Sequence, residues 1–230
     1  MMLLFLALLQ LGMAAQINDP NVQVRDAKGY HGIRVSSAFN VYLSQSNDEA
    51  VAVSAASIKD RDQITVEVKE GILTIGLKSE WKWNSGNKKL RAYISFKTID
   101  KLFISGACDV FITGVLKSDI LRVEQSGASD LKGKIEVGKL YVDLSGASDI
   151  SLSGKATRLY VEASGASDFK GFDLAAETCE AKASGASDIR ITVNKELSAE
   201  ASGASDVKYR GDCTVRESKS SGSASVSKGR

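Results

Sequence analysis

An all-β fold, a parallel β-helix (solenoid) with rungs of about 19 residues whose N-terminal strands continue or cap the coil, is predicted by three features of this 230-residue chain. The word S-G-A-[SC]-D occurs six times, at Ser105, Ser126, Ser145, Ser164, Ser184 and Ser202, at intervals of 21, 19, 19, 20 and 18 residues. Ahead of most words, apolar residues alternate with polar ones, the period of a strand with one buried face. Pro20 is the sole proline, so little interrupts a backbone ladder. A unit this short cannot bury an apolar face alone and has to stack on its neighbours.

Taken in order, residues 1–15, MMLLFLALLQLGMAA, form an apolar run that ends in small residues, the pattern of a secretory signal peptide. Gln10 and Gln16 bracket a stretch shorter than the ~20 apolar residues a spanning helix needs, so the mature chain is expected to be soluble and without a membrane span. Residues 16–32 read as an N-terminal extension, and 33–104 as an N-terminal β region. Within that region, strands are expected at Val41–Leu43, Val51–Val53, Ile64–Val68, Ile72–Leu77 and Leu90–Phe96. Polar turns such as Ser46-Asn47-Asp48 and Ser85-Gly86-Asn87 join them, and no amphipathic helical stretch is visible.

Residues 105–226 are the repeat solenoid. Inward positions before the words are Leu121/Val123, Leu140/Val142/Leu144, Leu159/Val161/Ala163, Cys179/Ala181/Ala183 and Leu197/Ala199/Ala201. Directly behind each Asp comes another apolar residue: Val110, Leu131, Ile150, Phe169, Ile189 and Val207. A rung of about 19 residues at ~3.3 Å each has a perimeter near ~60 Å, enough for three short strands and three corners.

Each word reads as one corner. Gly106, Gly127, Gly146, Gly165, Gly185 and Gly203 supply the positive φ of a sharp bend, Ala fits a tight interior, and Ser and Asp bond to nearby backbone amides. The column Asp109, Asp130, Asp149, Asp168, Asp188 and Asp206 would repel itself at ~4.8 Å spacing if nothing offset the charge. Amide capping is the preferred offset. One Gly and one Asp per rung supply too few oxygens for the six to eight positions calcium prefers, so no metal and no cofactor is expected.

With 30 Lys plus Arg against 28 Asp plus Glu, the net charge of +2 gives no field for nucleic acid or an anionic membrane. Three cysteines exclude a complete disulfide framework. Cys179 and Cys213 read as apolar filler in the inward column, two rungs and ~9.6 Å apart, whereas Cys108, inside a word, should be the more reactive thiol.

The candidate binding residues are aromatic. Arg122/Glu124, Tyr141/Asp143, Tyr160/Glu162, Glu180/Lys182, Ser198/Glu200 and Thr214/Arg216 should point outward on one face, which stacks Tyr141 on Tyr160 beside acids. Such a pair suits a sugar strip, or cross-strand stabilisation alone. Trp81 and Trp83, in the polar stretch WKWNSGNKK, are further candidates for ligand contact, or plugs for the end of the coil.

The V-x-V strands, Gly71-Ile72-Leu73-Thr74-Ile75, the Trp81/Trp83 pair, Tyr93 and the serial words together resemble the putative auto-transporter adhesin family, head GIN domain, from about Phe39 to Val226. The resemblance implies an exported bacterial protein of the kind frequent in Bacteroidetes, with a β-helical fold and no catalytic residue to carry over. No C-terminal β-barrel translocator is visible in Ser220–Ser225.

The expectation is therefore an exported, non-catalytic solenoid in the periplasm or at the cell surface, binding carbohydrate or a surface protein, with a homo-oligomer also open. The alternative is a pectinase-like polysaccharide-processing enzyme. It rests on fold analogy, because evenly spaced aspartates single out no catalytic pair and His31 lies outside the repeats.

Overall fold

The computed structural model describes residues 19–78 and 89–229. Strand accounts for 68% of the described residues and helix for 2%, wound into a solenoid of about seven turns with rungs of about 19 residues. The repeat strands are β9 (Asp109–Gln125), β10 (Asp130–Leu144), β11 (Asp149–Ala163), β12 (Asp168–Ala183) and β13 (Asp188–Gly203), each pairing in parallel with the next. Words lie in register, so that Asp130 stands opposite Asp109 and Asp149, and Leu140 opposite Leu121 and Leu159.

Burial along β10 divides a rung into three faces. Ser129 and Leu131 point inward after the word, Ile135 and Val137 across the middle, and Leu140, Val142 and Leu144 before the next word. The alternation slips at 132–134 and again at 138–139, which mark the two corners that carry no word. We call these the post-word, middle and pre-word faces. Their inward side chains compensate one another across the coil: the rung with small Cys179, Ala181 and Ala183 before its word carries fully buried Phe169 on the opposite wall.

Upstream strands enter the same sheet without a break at 104/105. β8 (Lys101–Ile104) pairs with β9 before the word, and β3 (Asn40–Gln45) pairs with β9 after it. Below them lie β2 (Gly32–Val35), parallel to β8, and then β6 (Ile72–Leu77) and β7 (Arg91–Phe96), parallel to β2 and β3. The parallel rule ends there. β4 (Ala50–Ser54) runs antiparallel to β7, β1 (Gln23–Arg25) antiparallel to β4, and β5 (Ile64–Lys69) antiparallel to β6.

These antiparallel strands finish the N-terminal end of the coil, and β1 draws Gln23–Arg25 of the N-terminal extension into the sheet. One four-residue helix, α1 (Ile58–Arg61), is N-capped by Ser57, whose hydroxyl accepts from the Asp60 amide. A single turn is too short for helical periodicity to register in a sequence.

The C-terminal end is built differently. β14 (Asp206–Arg210) and β16 (Ser225–Lys228) extend the post-word face, and β15 (Thr214–Gly222) the pre-word face. A bulge between Leu197 and Ser198 shifts β15, so Val215 takes the place expected for Cys213, and Glu217 and Lys219 take the places expected for Thr214 and Arg216. Cys213 consequently stands just outside the strand and is half-buried.

Candidate functional site

The corner ridge runs the length of the coil. Glycines 106, 127, 146, 165, 185 and 203 all have φ between 76° and 84°. A Cβ added at Gly165 would sit 2.5 Å from the Gly146 carbonyl oxygen one rung below, so both the bend and the stacking exclude a side chain. From the second word on, the amide of each word's Ala donates to the Gly carbonyl of the preceding rung, as Ala166 does to Gly146 at 2.8 Å.

Ala faces solvent, contrary to the expected inward position, and the fourth residue is the buried one. Ser148, Ser167 and Ser187 each donate their hydroxyl to the carbonyl of the Ser that opens their own word, at 2.8–2.9 Å. Cys108 occupies that inner position, fully buried, and burial pushes its thiol pKa up. The expectation that Cys108 would be the reactive thiol is therefore corrected. The Cys179 thiol is pushed up further still by burial, with smaller contributions from Cys213 and Glu180.

Side-chain cations rather than amide caps offset the aspartate column. Two residues on from the Asp, a basic column runs alongside: Lys132 reaches Asp130 at 3.0 Å, Lys170 bridges Asp149 and Asp168 at 2.6 and 3.6 Å, and Arg190 bridges Asp168 and Asp188 at 3.7 and 2.7 Å. Lys208 lies 3.3 Å from Asp206, whose carboxyl is held below its usual range first by the Ser225 hydroxyl. Asp109 has no such ion pair among the described residues: Phe111 stands in the cation's column on its own rung, and Lys132 on the next rung pairs with Asp130. Among the described residues no group of three His, Cys, Asp or Glu is placed to hold a metal ion.

On the pre-word face, Tyr141 and Tyr160 stack with centroids 4.8 Å apart at 6°, and the Arg122 guanidinium lies 5.0 Å over Tyr141. Their ring faces look along the coil axis, into the ladder, leaving ring edges and hydroxyls outward. Beside them Glu124, Asp143 and Glu162 occupy one column on successive rungs. None of the three makes an ion pair among the described residues, and Lys182, next in the column, is bound to Glu180 at 3.3 Å. These residues line a shallow hollow of about 230 Å³. Trp81 and Trp83 lie outside the described residues.

Two further surfaces were not anticipated. Tyr93, Tyr42 and Phe111 form a three-ring stack across β7, β3 and β9, with centroids 5.3 and 5.5 Å apart. Tyr42 and Phe111 each lie two residues past the Asn or Asp that closes their corner, a placement visible only once the strands are aligned. On the middle face a groove of about 930 Å³ crosses the rungs from Thr98 to Asn194, with Glu136 between Lys117 and Lys155 at 3.4 and 4.0 Å.

Residues 29–213 match the family described as "Putative auto-transporter adhesin, head GIN domain". The chain belongs to this family. Solved structures similar to this chain include a putative adhesin from Bacteroides fragilis, 24% identical over 90% of this chain and 95% of that one, with a TM-score of 0.82. A putative lipid binding protein from Parabacteroides distasonis, 20% identical, covers 93% of this chain and 98% of its own at a TM-score of 0.69. A putative adhesin from Parabacteroides merdae, 16% identical with the same coverages, also reaches 0.69. At these identities the likeness to the solved structures is one of fold. No curated protein matches the sequence. No helix among the described residues is long and apolar enough to cross a membrane.

Proposed function

We propose that this member of the head GIN adhesin family is an exported, non-catalytic β-solenoid, periplasmic or at the cell surface, that binds carbohydrate or a surface protein through its pre-word face. The observation that carries this reading is the column Glu124, Asp143, Glu162 beside the Tyr141–Tyr160 stack. Like charges directly opposite one another in a sheet oppose folding. The molecule offsets its aspartate column with Lys and Arg from Asp130 onward, as at Asp168, whereas Glu124, Asp143 and Glu162 make no ion pair on three successive rungs among the described residues.

With the ring faces consumed in the stack, the strip presents phenol hydroxyls and carboxylates. Carboxylates accept hydrogen bonds from sugar hydroxyls or from protein amide and amino groups. Family membership supports adhesion as the role, and the apolar leader-like residues 1–15 support export.

The test is a glycan array together with a panel of surface proteins, probed with the wild type and with a Tyr141→Ala/Tyr160→Ala variant. At least about tenfold weaker binding by the variant, with unchanged melting, is expected. Undiminished binding would move the site elsewhere. Release of reducing ends or unsaturated products, abolished by one Asp substitution, would overturn the non-catalytic reading.

A further inference from the structure

The two ends of the coil are finished differently, and among the described residues the C-terminal one leaves a long strand edge unpaired. β15 runs for nine residues, all exposed, and its one partner among the described residues is β13. A strand in that position presents a row of unpaired backbone donors and acceptors, ready to template another strand. Its side chains add direction. Glu217 and Lys219 point outward, with the inward-facing Ser218 between them where Ala199 stands one rung earlier.

This Glu-Ser-Lys sequence is complementary to itself under a twofold axis. If two copies of β15 pair antiparallel about Ser218, Glu217 falls opposite the partner's Lys219, and Lys219 opposite the partner's Glu217. Glu217 and Lys219 are already an ion pair within the chain, so the pairing closes a ring of four alternating charges. Beneath the centre of the pairing the inward side is polar, with Ser218 and Ser220 in place of Ala199 and Ala201 and Val215 the one apolar inward residue, so backbone hydrogen bonds and charge, more than apolar burial, would hold the contact.

We propose that a second copy of this chain docks on the β15 edge, giving an isologous dimer joined end to end by antiparallel pairing about Ser218. A closed twofold contact stops at two copies. The outer strand at the opposite end, β5, carries Ile64, Val66 and Val68 on the side that faces the core, opposite Leu77, Ile75 and Leu73 of β6. Those side chains match the serines of β15 poorly, which disfavours a head-to-tail filament.

Sedimentation velocity of the purified protein at rising concentration tests this directly. The expected result is a monomer–dimer equilibrium that weakens with salt. Glu217→Lys and Lys219→Glu should each weaken self-association by about tenfold or more, since each places like charges opposite one another twice. Mixing the two variants should restore a one-to-one heterodimer, and the double swap a homodimer, with the melting of every variant checked beside the wild type. A wild type that stays monomeric, one that grows past a dimer, or variants whose mixture does not associate would each overturn the proposal.

Discussion

Gly165 and Ser37 occupy the same corner of the same coil, one in the repeats and one near the N-terminus, and the chain solves that corner in two ways. In the repeats this corner is an S-G-A-[SC]-D word, and from the second word on its inner position is a hydroxyl bonded to its own word, as Ser167 is to Ser164. Near the N-terminus the corner is Ser36-Ser37-Ala38-Phe39-Asn40. There Ser37 takes the positive φ at 85°, and fully buried Phe39 fills the inner position. The Ala107 amide still donates to the Ser37 carbonyl, so the ladder geometry is kept while the chemistry changes. The repeats draw stability from the identity of neighbouring rungs. The N-terminal turns draw it from unique large side chains and antiparallel closure.

The sharpest way to break that comparison is at glycine. Gly165→Val should cost about 5 kcal/mol, because the position combines positive φ with a carbonyl oxygen 2.5 Å from the new Cβ. Gly29, in the N-terminal region, has φ 72° but nothing within 4 Å, so Gly29→Ala should cost only about 1 kcal/mol. Urea unfolding of both variants checks the contrast, and equal costs would remove the distinction between stacked and free-standing bends.

A smaller effect is expected from acid at the N-terminal closure. Burial alone would raise the Asp19 pKa, but the Ser54 hydroxyl, the Asn21 amide and the Arg91 guanidinium at 2.9 Å outweigh it and hold the carboxyl below its usual range. A depressed carboxyl stabilises the fold above its unfolded pKa of about 3.9, and that contribution is lost as pH falls through the folded value. Asp19→Asn should therefore cost about 2 kcal/mol at pH 7, and the gap from the wild type should close below about pH 4. Melting curves from pH 7 to 3 read this, and a gap constant with pH would refute it.

Thiol labelling sharpens the boundary between regular and irregular rungs. Cys213, half-buried beside the shifted strand β15, should react first, while buried Cys108 and Cys179 wait for unfolding. Peptide mass mapping that finds Cys108 labelled in the native protein would put it outside the core. The smallest expected effect lies in the aspartate column. Asp168→Asn loses pairs to half-exposed Lys170 and Arg190 and should cost about 0.5 kcal/mol, less at high salt, with EDTA leaving the melting temperature unchanged. A calcium-dependent rise in melting temperature would show that the carboxylates bind the ion.

The repeats were legible because identical words advertise their own alignment. The same logic paired Tyr141 with Tyr160 from spacing alone. It failed where one extra residue enters, as at the bulge after Leu197 that put Val215 where Cys213 was expected. The corner at residues 36–40 escaped notice because it shares only Ser and Ala with the word, and residues 41–104 separate it from the next copy. Tyr42 and Tyr93 meet across 51 positions of chain, a contact that no local period encodes. The partners of the aspartates were hidden for a related reason: Lys170 serves Asp149 from the following rung, so neither residue's own neighbourhood names it.

Because every word sits directly over the one before it, the coil grows in whole steps. Deleting or duplicating one rung, from Asp149 to Ser167 for instance, would shorten or lengthen the molecule by about 4.8 Å while leaving every remaining neighbour relationship of the same kind. Length in such a protein is counted rather than graded. Selection can therefore adjust how far a surface reaches by copying a stretch of about 19 codons, without inventing any new contact.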